Sequence, residues 1–598
     1  MKKILTSIFV LLSAALALSA APAYPGGIRY TQPDGSTVTI QLHGDEYGHW
    51  ATDTRGRVLR QDDEGFWRFD FSANVPALRQ QASARRALLS RSKAPGDHAP
   101  AVGQRHFLVV LVAFTDVPFT VEDPKTAFTN LLNQPGYANA GGTGSARDYY
   151  YENSHGKFDP IFDVYGPVTV SRERAYYGKG KSIDDNPEKA VIEACLLLDD
   201  EIDFRQYDAD GDGSVDMVFM YFAGYGENDS GITDAIWPHM SYLYSPDKVD
   251  GMSLDLYACS NELQAQGPWK NQICGIGTAC HEFGHTLGLP DLYDTTTGSS
   301  GVFSGGLYER FALMDAGCYN NEGRTPPYFT FEERMMLGWV DADDYEELSA
   351  SGEYTLPSVQ EEKAYRIPTE MDGEYFVLEC RGESGWDAAL PSHGLFVYHL
   401  DKSDNIVYSG LGTQVTARMI WEDKGLFMSQ INTHEDHPCF YIIPSVDQGN
   451  LFYGYDQGGG YFNFDKLAGN LPFPGVGNIT TYTAKSWNGR YVEYTLNDIA
   501  YAGDVVSFSV KYAAFTPHLD FYSIKNPGKG VYALGSSFAL DLHAVEGTSY
   551  DSVKWYFDGV EVKGTSVPLT AAGRHVIRAE VSLPGGKEHR VTQEIEVK

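Results

Sequence analysis

The strongest constraint on how this chain folds is the stretch GTACHEFGHTLGLPDLYD, Gly277–Asp294. Its two histidines, His281 and His285, are spaced so that a helix places both on one face, where they can bind one metal ion at about 2.0–2.1 Å. Gly288 ends that helix and a proline two residues later prevents it from resuming, so Asp291 can return toward the same metal. The stretch predicts a helix, a sharp turn and a three-donor metal site.

Glu282 follows the first histidine, at the edge of the same helix face. It is badly placed to join the histidines as a ligand, but it can reach a metal-bound water and deprotonate it as a general base. Three protein ligands leave a fourth position for that water, as a catalytic zinc ion requires. The predicted reaction is hydrolysis of a peptide bond, and the alternative is an ordinary polar helix surface.

The composition of the chain limits the classes of molecule that it can bind. Its 598 residues include 80 Asp and Glu against 46 Lys and Arg, a formal charge of −34. This charge disfavours polyanionic partners, so we expect no nucleic-acid partner. With 42% hydrophobic and 13% aromatic residues, the chain can bury large cores and is expected to form about three or four domains.

The first residues, MKKILTSIFVLLSAALALSAAPA, are typical of a secretory signal peptide over residues 1–23. Two lysines precede an apolar run, and small residues follow at Ala20–Ala23, where a signal peptidase can cut. An uncleaved membrane anchor is the alternative. We expect a secreted or cell-surface protein whose mature chain has no membrane span, because no other stretch approaches the roughly 20 apolar residues required.

Residues 24–100 alternate short strand-like runs with turns and then become basic. Turn signals at Asp34-Gly35 and Glu64-Gly65 predict a small antiparallel unit. A basic linker follows, with Arg79, Arg85, Arg86, Arg91 and Lys93. These features predict a pro-segment released by an activating protease that cuts after Arg or Lys, and the alternatives are a folding domain and a plain surface tether.

The remaining chain is predicted to form three regions. Residues 101–340 mix buried strands, as in HFLVVLVAFTD, with a helix in KAVIEACLLLDDEI, which indicates an α+β catalytic domain. Residues 341–515 form a β-rich extension. Residues 516–598 alternate apolar positions around Trp555 and an Asp558-Gly559 hairpin, which predicts an all-β immunoglobulin-like sandwich.

A second metal site is predicted in the stretch DADGDGSVD. Its candidate ligands stand at alternate positions: Asp208, Asp210, Asp212, the backbone of Ser214, and Asp216. Gly213 holds the sixth position of the loop, but Phe219 occupies the twelfth, where an EF-hand needs an acid. We expect a structural calcium site outside a true EF-hand, with a metal-free Asp-Gly turn as the alternative.

The zinc motif resembles that of the metzincin peptidases, which continue with a turn containing a methionine. Here the third ligand is Asp291, and the turn is LMDAG around Met314. With GSARDYYYENSHGKFDP, QYDADGDGSVD and AIWPHM, the chain resembles the M6 family of immune inhibitor A-like secreted peptidases from about residue 104 to 511. This resemblance implies an endopeptidase with zinc on His281, His285 and Asp291, Glu282 as base and Met314 beneath the metal. It also makes Tyr319 and Tyr293 candidates for oxyanion support.

The pro-segment contains no cysteine, so inhibition through a thiolate on zinc is excluded. The hypothesis is that Asp45, Glu46 or His49 of HGDEYGHW takes the place of the water. The whole chain has seven cysteines, an odd number that leaves at least one unpaired or paired between chains.

Two other functions are compatible with these motifs. The chain could be a surface binding or adhesion protein that retains the fold with weak or no catalysis, or a zinc hydrolase that acts on something other than protein. The intact ligand set and Glu282 favour the peptidase, with proteins or peptides as substrates.

Overall fold

The computed structural model describes residues 18–19, 21–46, 48–75, 77–78, 80–81, 98–178, 186–243, 245–295, 309–348, 350–369, 371–410, 413–422, 431–434, 437–445, 468–487, 491–512, 522–524, 531–544, 550–583 and 587–598. Most of the predicted signal peptide and the basic residues of the predicted linker lie outside these ranges.

The strands up to the zinc motif are β1 (Leu18–Ser19), β2 (Ile28–Thr31), β3 (Thr37–Asp45), β4 (Gly48–Thr52), β5 (Val58–Gln61), β6 (Trp67–Phe69), β7 (Gly103–Ala113), β8 (Phe158–Thr169), β9 (Ser214–Val215), β10 (Val218–Tyr225), β11 (Met240–Tyr242), β12 (Ser253–Leu254) and β13 (Leu256–Leu263). The α-helices are α1 (Pro124–Asn133), α2 (Ala146–Asn153), α3 (Arg174–Gly178), α4 (Pro187–Leu197), α5 (Glu227–Ser230), α6 (Gly277–Thr286), α7 (Phe331–Met336) and α8 (Ala417–Glu422).

The later strands are β14 (Glu346–Glu347), β15 (Gly352–Pro357), β16 (Tyr365–Pro368), β17 (Glu374–Arg381), β18 (Gly394–Asp401), β19 (Ile406–Gly410), β20 (Thr413–Thr416), β21 (Phe440–Ile443), β22 (Tyr482–Lys485), β23 (Tyr491–Ala502), β24 (Val505–Tyr512), β25 (Tyr522–Ile524), β26 (Val531–Tyr532), β27 (Ser537–Ala539), β28 (Leu542–Ala544), β29 (Ser552–Phe557), β30 (Val560–Val562), β31 (Ser566–Pro568), β32 (Gly573–Leu583) and β33 (Lys587–Val597).

A six-stranded sheet in the order β1-β11-β13-β10-β7-β8 forms the centre of the predicted peptidase region, residues 101–340. Strands β13, β10, β7 and β8 are parallel, whereas β11 runs antiparallel to β13. The short strand β1 adds to β11 in antiparallel register, with Leu18 opposite Ser241 and Ser19 opposite Met240. The sheet therefore ends in an antiparallel edge that is covered by the N-terminal part of the chain.

Both faces of this sheet are buried, which explains why β7 is apolar at successive positions. Phe107, Val109 and Leu111 pack with α1, α2 and α6, while Leu108 and Val110 pack on the opposite side with α4. The predicted buried strands and the predicted helix of KAVIEACLLLDDEI are thus present. Helix α6, which carries the two histidines of the motif, lies against one face of the sheet.

The β-rich extension shares a core with the peptidase region. One sheet has the order β14-β16-β17-β18-β21 and a second has the order β15-β24-β23-β22, with an apolar core that draws on both. Side chains of the first sheet, including Phe396 and Tyr398, also belong to the core that surrounds α6. The extension therefore packs against the predicted peptidase region.

The two ends of the chain form separate small β units. Strands β2 to β6 make a five-stranded antiparallel sheet, and its core includes Trp237 from the peptidase region. The C-terminal unit has a five-stranded sheet, β26-β33-β32-β29-β30, and its own core around Trp555. The predicted two-residue hairpin at Asp558-Gly559 joins β29 to β30. An immunoglobulin-like arrangement remains a prediction.

Two expectations from the sequence concern cysteine pairing and a membrane span. All seven cysteines are buried, and each is a thiol that forms no disulfide. Among the residues that the structure describes, no helix has the length and apolar character needed to cross a bilayer.

A buried ion pair within the extension binds the backbone of Tyr328, which precedes the extension. Arg381 of β17 donates from Nε and Nη2 to both oxygens of Asp387, at 2.8 and 2.7 Å, and from Nη2 to the Tyr328 carbonyl at 2.8 Å. Both charged side chains are fully buried. The Tyr328 amide also donates to Asp387 Oδ1 at 3.0 Å, so the buried pair and the Tyr328 backbone together fix how the two regions dock.

We predict that Asp387→Ala lowers the free energy of unfolding by about 3–5 kcal/mol, because it leaves the Arg381 guanidinium buried without its counter-charge. The matched control is Asp404→Ala, which removes the partner of Arg418 in a solvent-exposed pair and should have little effect. Urea unfolding of the two variants measures the difference. Equal stability of both would show that the buried pair does not hold the regions together.

Candidate metal centre

Helix α6 is placed by close contacts at two of its glycines. A Cβ at Gly277 would lie 1.9 Å from the Cys318 carbonyl oxygen, so only glycine fits there. A Cβ at Gly284 would lie 3.0 Å from Met314 Sδ, so the methionine packs directly against the helix. The helix ends before Gly288, which has a φ of +105°, a conformation that side chains rarely adopt. The glycine thus turns the chain back toward the helix, as its place in the motif predicts.

The two imidazole rings are held by backbone carbonyls. His281 Nδ1 donates to the Leu313 carbonyl at 2.7 Å, and His285 Nδ1 donates to the Leu289 carbonyl at 2.8 Å. Since carbonyl oxygens only accept, each Nδ1 carries the proton and each Nε2 keeps a lone pair for a metal. Both rings are buried and present Nε2 to the same point.

Asp291 completes a cluster of three donors. The two Nε2 atoms are 3.0 Å apart, and Asp291 Oδ1 lies 3.4 Å from His281 Nε2 and 3.1 Å from His285 Nε2. Donors at about 2.0–2.1 Å from one tetrahedral zinc ion would be about 3.3 Å from each other, so the spacing fits zinc. Burial raises the pKa of Asp291, but His285 and His281 outweigh it and hold the pKa below its ordinary value.

The loop that carries Asp291 is fastened on two sides. The Leu292 amide donates to the Met314 carbonyl at 2.9 Å. Asn432, in the extension, donates from Nδ2 to the Leu292 carbonyl at 2.9 Å. Asp315, next to Met314, accepts from the Ala316 and Glu309 amides and so shapes the turn, and burial raises its pKa to about 7. These contacts set the position of the third donor.

Glu282 is fully buried beside the cluster. Burial, together with the charges of Glu46 and Asp291, raises its pKa well above the ordinary value. Its Oε1 accepts a hydrogen bond of 2.6 Å from the backbone amide of Ala21, and its Oε2 has no hydrogen-bond partner among the described residues. A carboxyl group with one buried oxygen left for another molecule is suited to bind and deprotonate a water.

The two tyrosines of the prediction differ in their surroundings. Tyr319 donates its hydroxyl to the Pro22 carbonyl at 2.6 Å and accepts from Asn228 Nδ2 at 2.8 Å. Burial raises the pKa of Tyr319 well above its ordinary value, so the hydroxyl stays protonated and remains a donor. Tyr293 is almost fully buried in the core. Through Pro22, the Tyr319 hydroxyl lies next to Ala21, whose amide binds Glu282.

Residues of the predicted pro-segment also lie close to Glu282. Asp45 and Glu46 are buried, and Glu46 is close enough to influence Glu282. His49 Nε2 lies 3.2 Å from Glu227 Oε1, and its ring stacks on Trp237. The hairpin that contains these three residues thus packs beside the metal centre, and the backbone group that contacts Glu282 comes from Ala21.

Three residues that sequence reasoning missed support this site. Trp237 donates from Nε1 to the Ala21 carbonyl at 2.9 Å, Asn228 orients the Tyr319 hydroxyl, and Asn432 holds the Asp291 loop. The stretch AIWPHM did signal Trp237 as part of a family resemblance, but no spacing rule links it to the zinc motif.

The predicted calcium loop brings three of its five candidates together. Carboxylate oxygens of Asp208, Asp210 and Asp216 lie within 4.8 Å of one another. Burial, followed by the charges of the neighbouring aspartates, raises the pKa of Asp216 to about 6. Asp212 accepts from the Ser214 amide at 2.7 Å, and Ser214 Oγ donates to Asp255 at 2.7 Å. Asp212 and the backbone of Ser214 stay predicted ligands.

Comparisons with known proteins agree with this geometry. Residues 106–335 match the family model described as immune inhibitor A peptidase M6, catalytic domain. The pre-pro-metalloprotease PrtV of Vibrio cholerae is 27% identical over 331 residues, which cover 47% of this chain and 35% of that protein. Immune inhibitor A of Bacillus thuringiensis subsp. alesti is 27% identical over 238 residues, 34% of each chain.

A putative secreted metallopeptidase of Arthroderma benhamiae is 22% identical over 263 residues, which cover 36% of this chain and 37% of that protein. The chain therefore spans about a third of the length of the curated relatives it matches.

We predict that Asp291→Ala weakens zinc binding by more than about 100-fold, because loss of even an outer-shell partner of a metal site costs about 10–100-fold. Zinc content and affinity, measured by competition with a chromogenic chelator, test this. Asp216→Asn, in the separate acidic loop, is the control and should leave zinc affinity unchanged. Unchanged affinity in Asp291→Ala would mean that another residue supplies the third donor.

Proposed function

Since this chain belongs to the M6 peptidase family, we propose that it is a secreted zinc endopeptidase that hydrolyses peptide bonds in proteins and is made as a precursor. The observation that carries the proposal is the cluster of His281, His285 and Asp291 donors at 3.0–3.4 Å with Glu282 beside it. The donor set and the methionine packed beneath α6 support a metzincin-like catalytic domain with one zinc ion.

The chemistry divides between the metal and the chain. A zinc ion on the three donors would act as a Lewis acid toward water and toward the substrate carbonyl. Glu282 takes the proton from the attacking water and passes it to the nitrogen of the cleaved bond. Its position within 2.6 Å of a backbone amide in the cleft supports this second step. Tyr319, as a protonated donor, supports the negative charge that develops on the carbonyl oxygen.

Latency is proposed to come from the N-terminal sheet. Strands β2 to β6 share a core with Trp237, His49 contacts Glu227, and Glu46 lies close enough to Glu282 to raise its pKa, so a substrate would meet this unit beside the metal centre. Release of the unit by a protease that cuts the basic linker is part of the proposal. Direct displacement of the water by Asp45, Glu46 or His49 remains a hypothesis.

We predict that Glu282→Gln lowers casein hydrolysis by the linker-cleaved protein by about 10²–10⁴-fold while zinc content stays the same, because the general base is lost and the ligands are kept. Glu173→Gln, on an exposed residue, is the control and should hydrolyse casein like the wild type. Chelation of zinc should abolish hydrolysis in both active proteins. Equal hydrolysis by Glu282→Gln would exclude Glu282 as the base.

A calcium ion bound by Asp208, Asp210 and Asp216 is proposed to stabilise the peptidase region. The convergence of three carboxylates supports it, because their mutual repulsion would be relieved by a hard cation. The loop joins the 3₁₀ turn Phe204–Tyr207 to β10, a central strand of the sheet, so a stable loop secures that strand.

We predict that saturating calcium raises the midpoint of thermal unfolding in the wild type and has no effect in Asp210→Asn, since binding to the folded state alone stabilises it. Magnesium, which favours rigid octahedral coordination, is the control and should stabilise less. A calcium response that is the same in both proteins would place the ion elsewhere.

A further inference from the structure

The loop that leads into β21 contacts the metal centre from the extension. We name it the clamp loop, and its described residues are 431–434 and 437–439. Asn432 in this loop is buried. Its Nδ2 donates to the Leu292 carbonyl at 2.9 Å, and its Oδ1 accepts from the Phe440 amide at 3.0 Å. One side chain therefore joins the backbone beside the metal centre to the first residue of β21.

Two hydrogen bonds on Leu292 fix the backbone next to Asp291, the third donor of the cluster. The Leu292 amide donates to the Met314 carbonyl at 2.9 Å, a contact within the matched M6 domain. The Leu292 carbonyl is held by Asn432, which lies 140 residues later in the chain. Loss of either bond would let the Leu292 peptide groups rotate and would move the Asp291 carboxylate relative to the two histidines. Outer contacts of this kind orient metal ligands.

The clamp loop is closed by its own backbone. The Cys439 amide donates to the Ile431 carbonyl at 2.9 Å, and the His437 amide donates to the His434 carbonyl at 2.9 Å. The Cys439 carbonyl in turn accepts from the Asp401 amide of β18 at 2.8 Å. Because the two ends of the loop are bonded to each other, a shift at His437 also displaces the part of the loop that carries the amide of Asn432.

A stack of four rings holds the far side of the clamp loop. The His437 ring lies 4.1 Å from the Trp487 ring, with the planes 18° apart. Trp487 lies 5.3 Å from His399 at 19°, and His399 lies 4.1 Å from Phe376 at 19°. Phe376 and His399 belong to β17 and β18 of the first sheet of the extension, whereas Trp487 follows β22 of the second. The position of the loop thus depends on both sheets.

Two buried carboxylates fix the imidazole rings of this stack. His437 Nε2 donates to Asp401 Oδ2 at 2.7 Å, and His399 Nε2 donates to Glu374 Oε1 at 2.8 Å. Asn405 Nδ2 bridges the two acids, at 3.0 Å from Asp401 Oδ2 and 3.2 Å from Glu374 Oε2. Hydrogen bonds to a charged acceptor are stronger than neutral ones, and a buried network of them is satisfied in one arrangement. The network therefore holds the clamp loop in one position.

We propose that Asn432 is a positioning residue for the zinc ligand Asp291, and that the ring stack with its two carboxylates holds Asn432 in place through the clamp loop. The extension then sets the affinity of the chain for zinc. The inference rests on the proposed zinc centre and concerns how tightly that metal is held. All the residues of the clamp loop and the stack lie beyond residue 335, where the match to the M6 catalytic-domain model ends.

Asn432→Asp in the full chain tests the contact with almost no change of shape. The new carboxylate keeps an acceptor for the Phe440 amide but has no proton to donate to the Leu292 carbonyl. Zinc affinity, measured by competition with a chromogenic chelator, should fall about 10- to 100-fold, as for other outer contacts of metal ligands. Asn497→Asp is the matched control, because Asn497 Nδ2 also donates to a backbone carbonyl of the extension, and it should bind zinc like wild type. Wild-type affinity in Asn432→Asp would overturn the inference.

His437→Ala tests whether the stack acts through Asn432. It should lower zinc affinity by about 3- to 10-fold, the effect of one lost hydrogen bond. His437→Gln, which keeps an N–H for Asp401, should lie closer to wild type. His575→Ala, in a histidine–aspartate pair of the C-terminal unit, is the control and should leave zinc affinity unchanged. The double variant His437→Ala, Asn432→Asp should bind zinc no more weakly than Asn432→Asp alone. Additive losses would overturn the path through the clamp loop.

Coupling between two sites is reciprocal, so zinc should also stabilise the clamp loop. Hydrogen exchange of backbone amides across residues 437–443, followed by mass spectrometry, should slow about 10- to 100-fold in wild type when zinc is added. In Asn432→Asp, at zinc concentrations that saturate its own site, exchange in this stretch should not change. A general loss of stability would not abolish the response to bound zinc. Equal slowing in both proteins would overturn the inference.

None of these measurements depends on peptide hydrolysis, so the proposals can fail separately. Equally tight zinc binding by wild type and Asn432→Asp would overturn the role of the extension and leave the zinc centre intact. Absence of zinc binding by wild type would overturn the zinc centre and this inference with it. The expected zinc affinities with no hydrolysis of casein by the linker-cleaved protein would overturn the peptidase function alone.

Discussion

The hydrogen bonds that orient the two imidazole rings of α6 are the constraint on which the rest of the site depends. Each Nδ1 donates to a carbonyl of a different later segment, Leu313 for His281 and Leu289 for His285. A shift of either segment would turn a ring and move its Nε2 out of the cluster. The two segments are therefore tied together by the Leu292 amide and the Met314 carbonyl, and Asn432 of the extension holds the same loop. The extension thus supports the site without supplying any of the three donors.

Support from Asn432 is useful only if the extension docks in one orientation. Polar groups at the junction select this orientation. Arg381 donates to Asp387 and to the Tyr328 carbonyl, and Glu379 accepts from the Phe331 amide. Buried charges are satisfied in a single arrangement, so they add specificity even where an apolar contact would add more stability. The continuous apolar core that joins Phe396 and Tyr398 to α6 holds the extension against the peptidase region, and the buried charges fix its orientation.

The sequence could predict those parts of the site whose residues lie close together in the chain. His281, Glu282, His285, Asp291 and Met314 are linked by helix spacing, a glycine stop and a nearby turn, and the structure brings them together. The buried strands β7 and β10 were predictable because both faces are apolar. The contact between Ala21 and Glu282 spans 261 residues and has no periodicity, so nothing in the sequence marks it. In the acidic loop, alternation predicted five ligands, and the structure brings the carboxylate oxygens of Asp208, Asp210 and Asp216 within 4.8 Å of one another. Asp212 and the backbone of Ser214 stay predicted ligands.

The proposed latency would place control in the linker and away from the metal centre. The Ala21 amide binds Glu282, and the Ala21 and Pro22 carbonyls bind Trp237 and Tyr319, so the N-terminal part of the chain lies beside the metal centre. An attached segment acts at an effective concentration that reaches about millimolar for short flexible connections, so it can block a site even with weak intrinsic affinity. Main-chain hydrogen bonds each add only about 0.5–1.5 kcal/mol, so such a segment would leave readily once its connection is cut. Under the proposed function, a single cut in the basic linker would change the effective concentration and leave every group of the metal centre as it was.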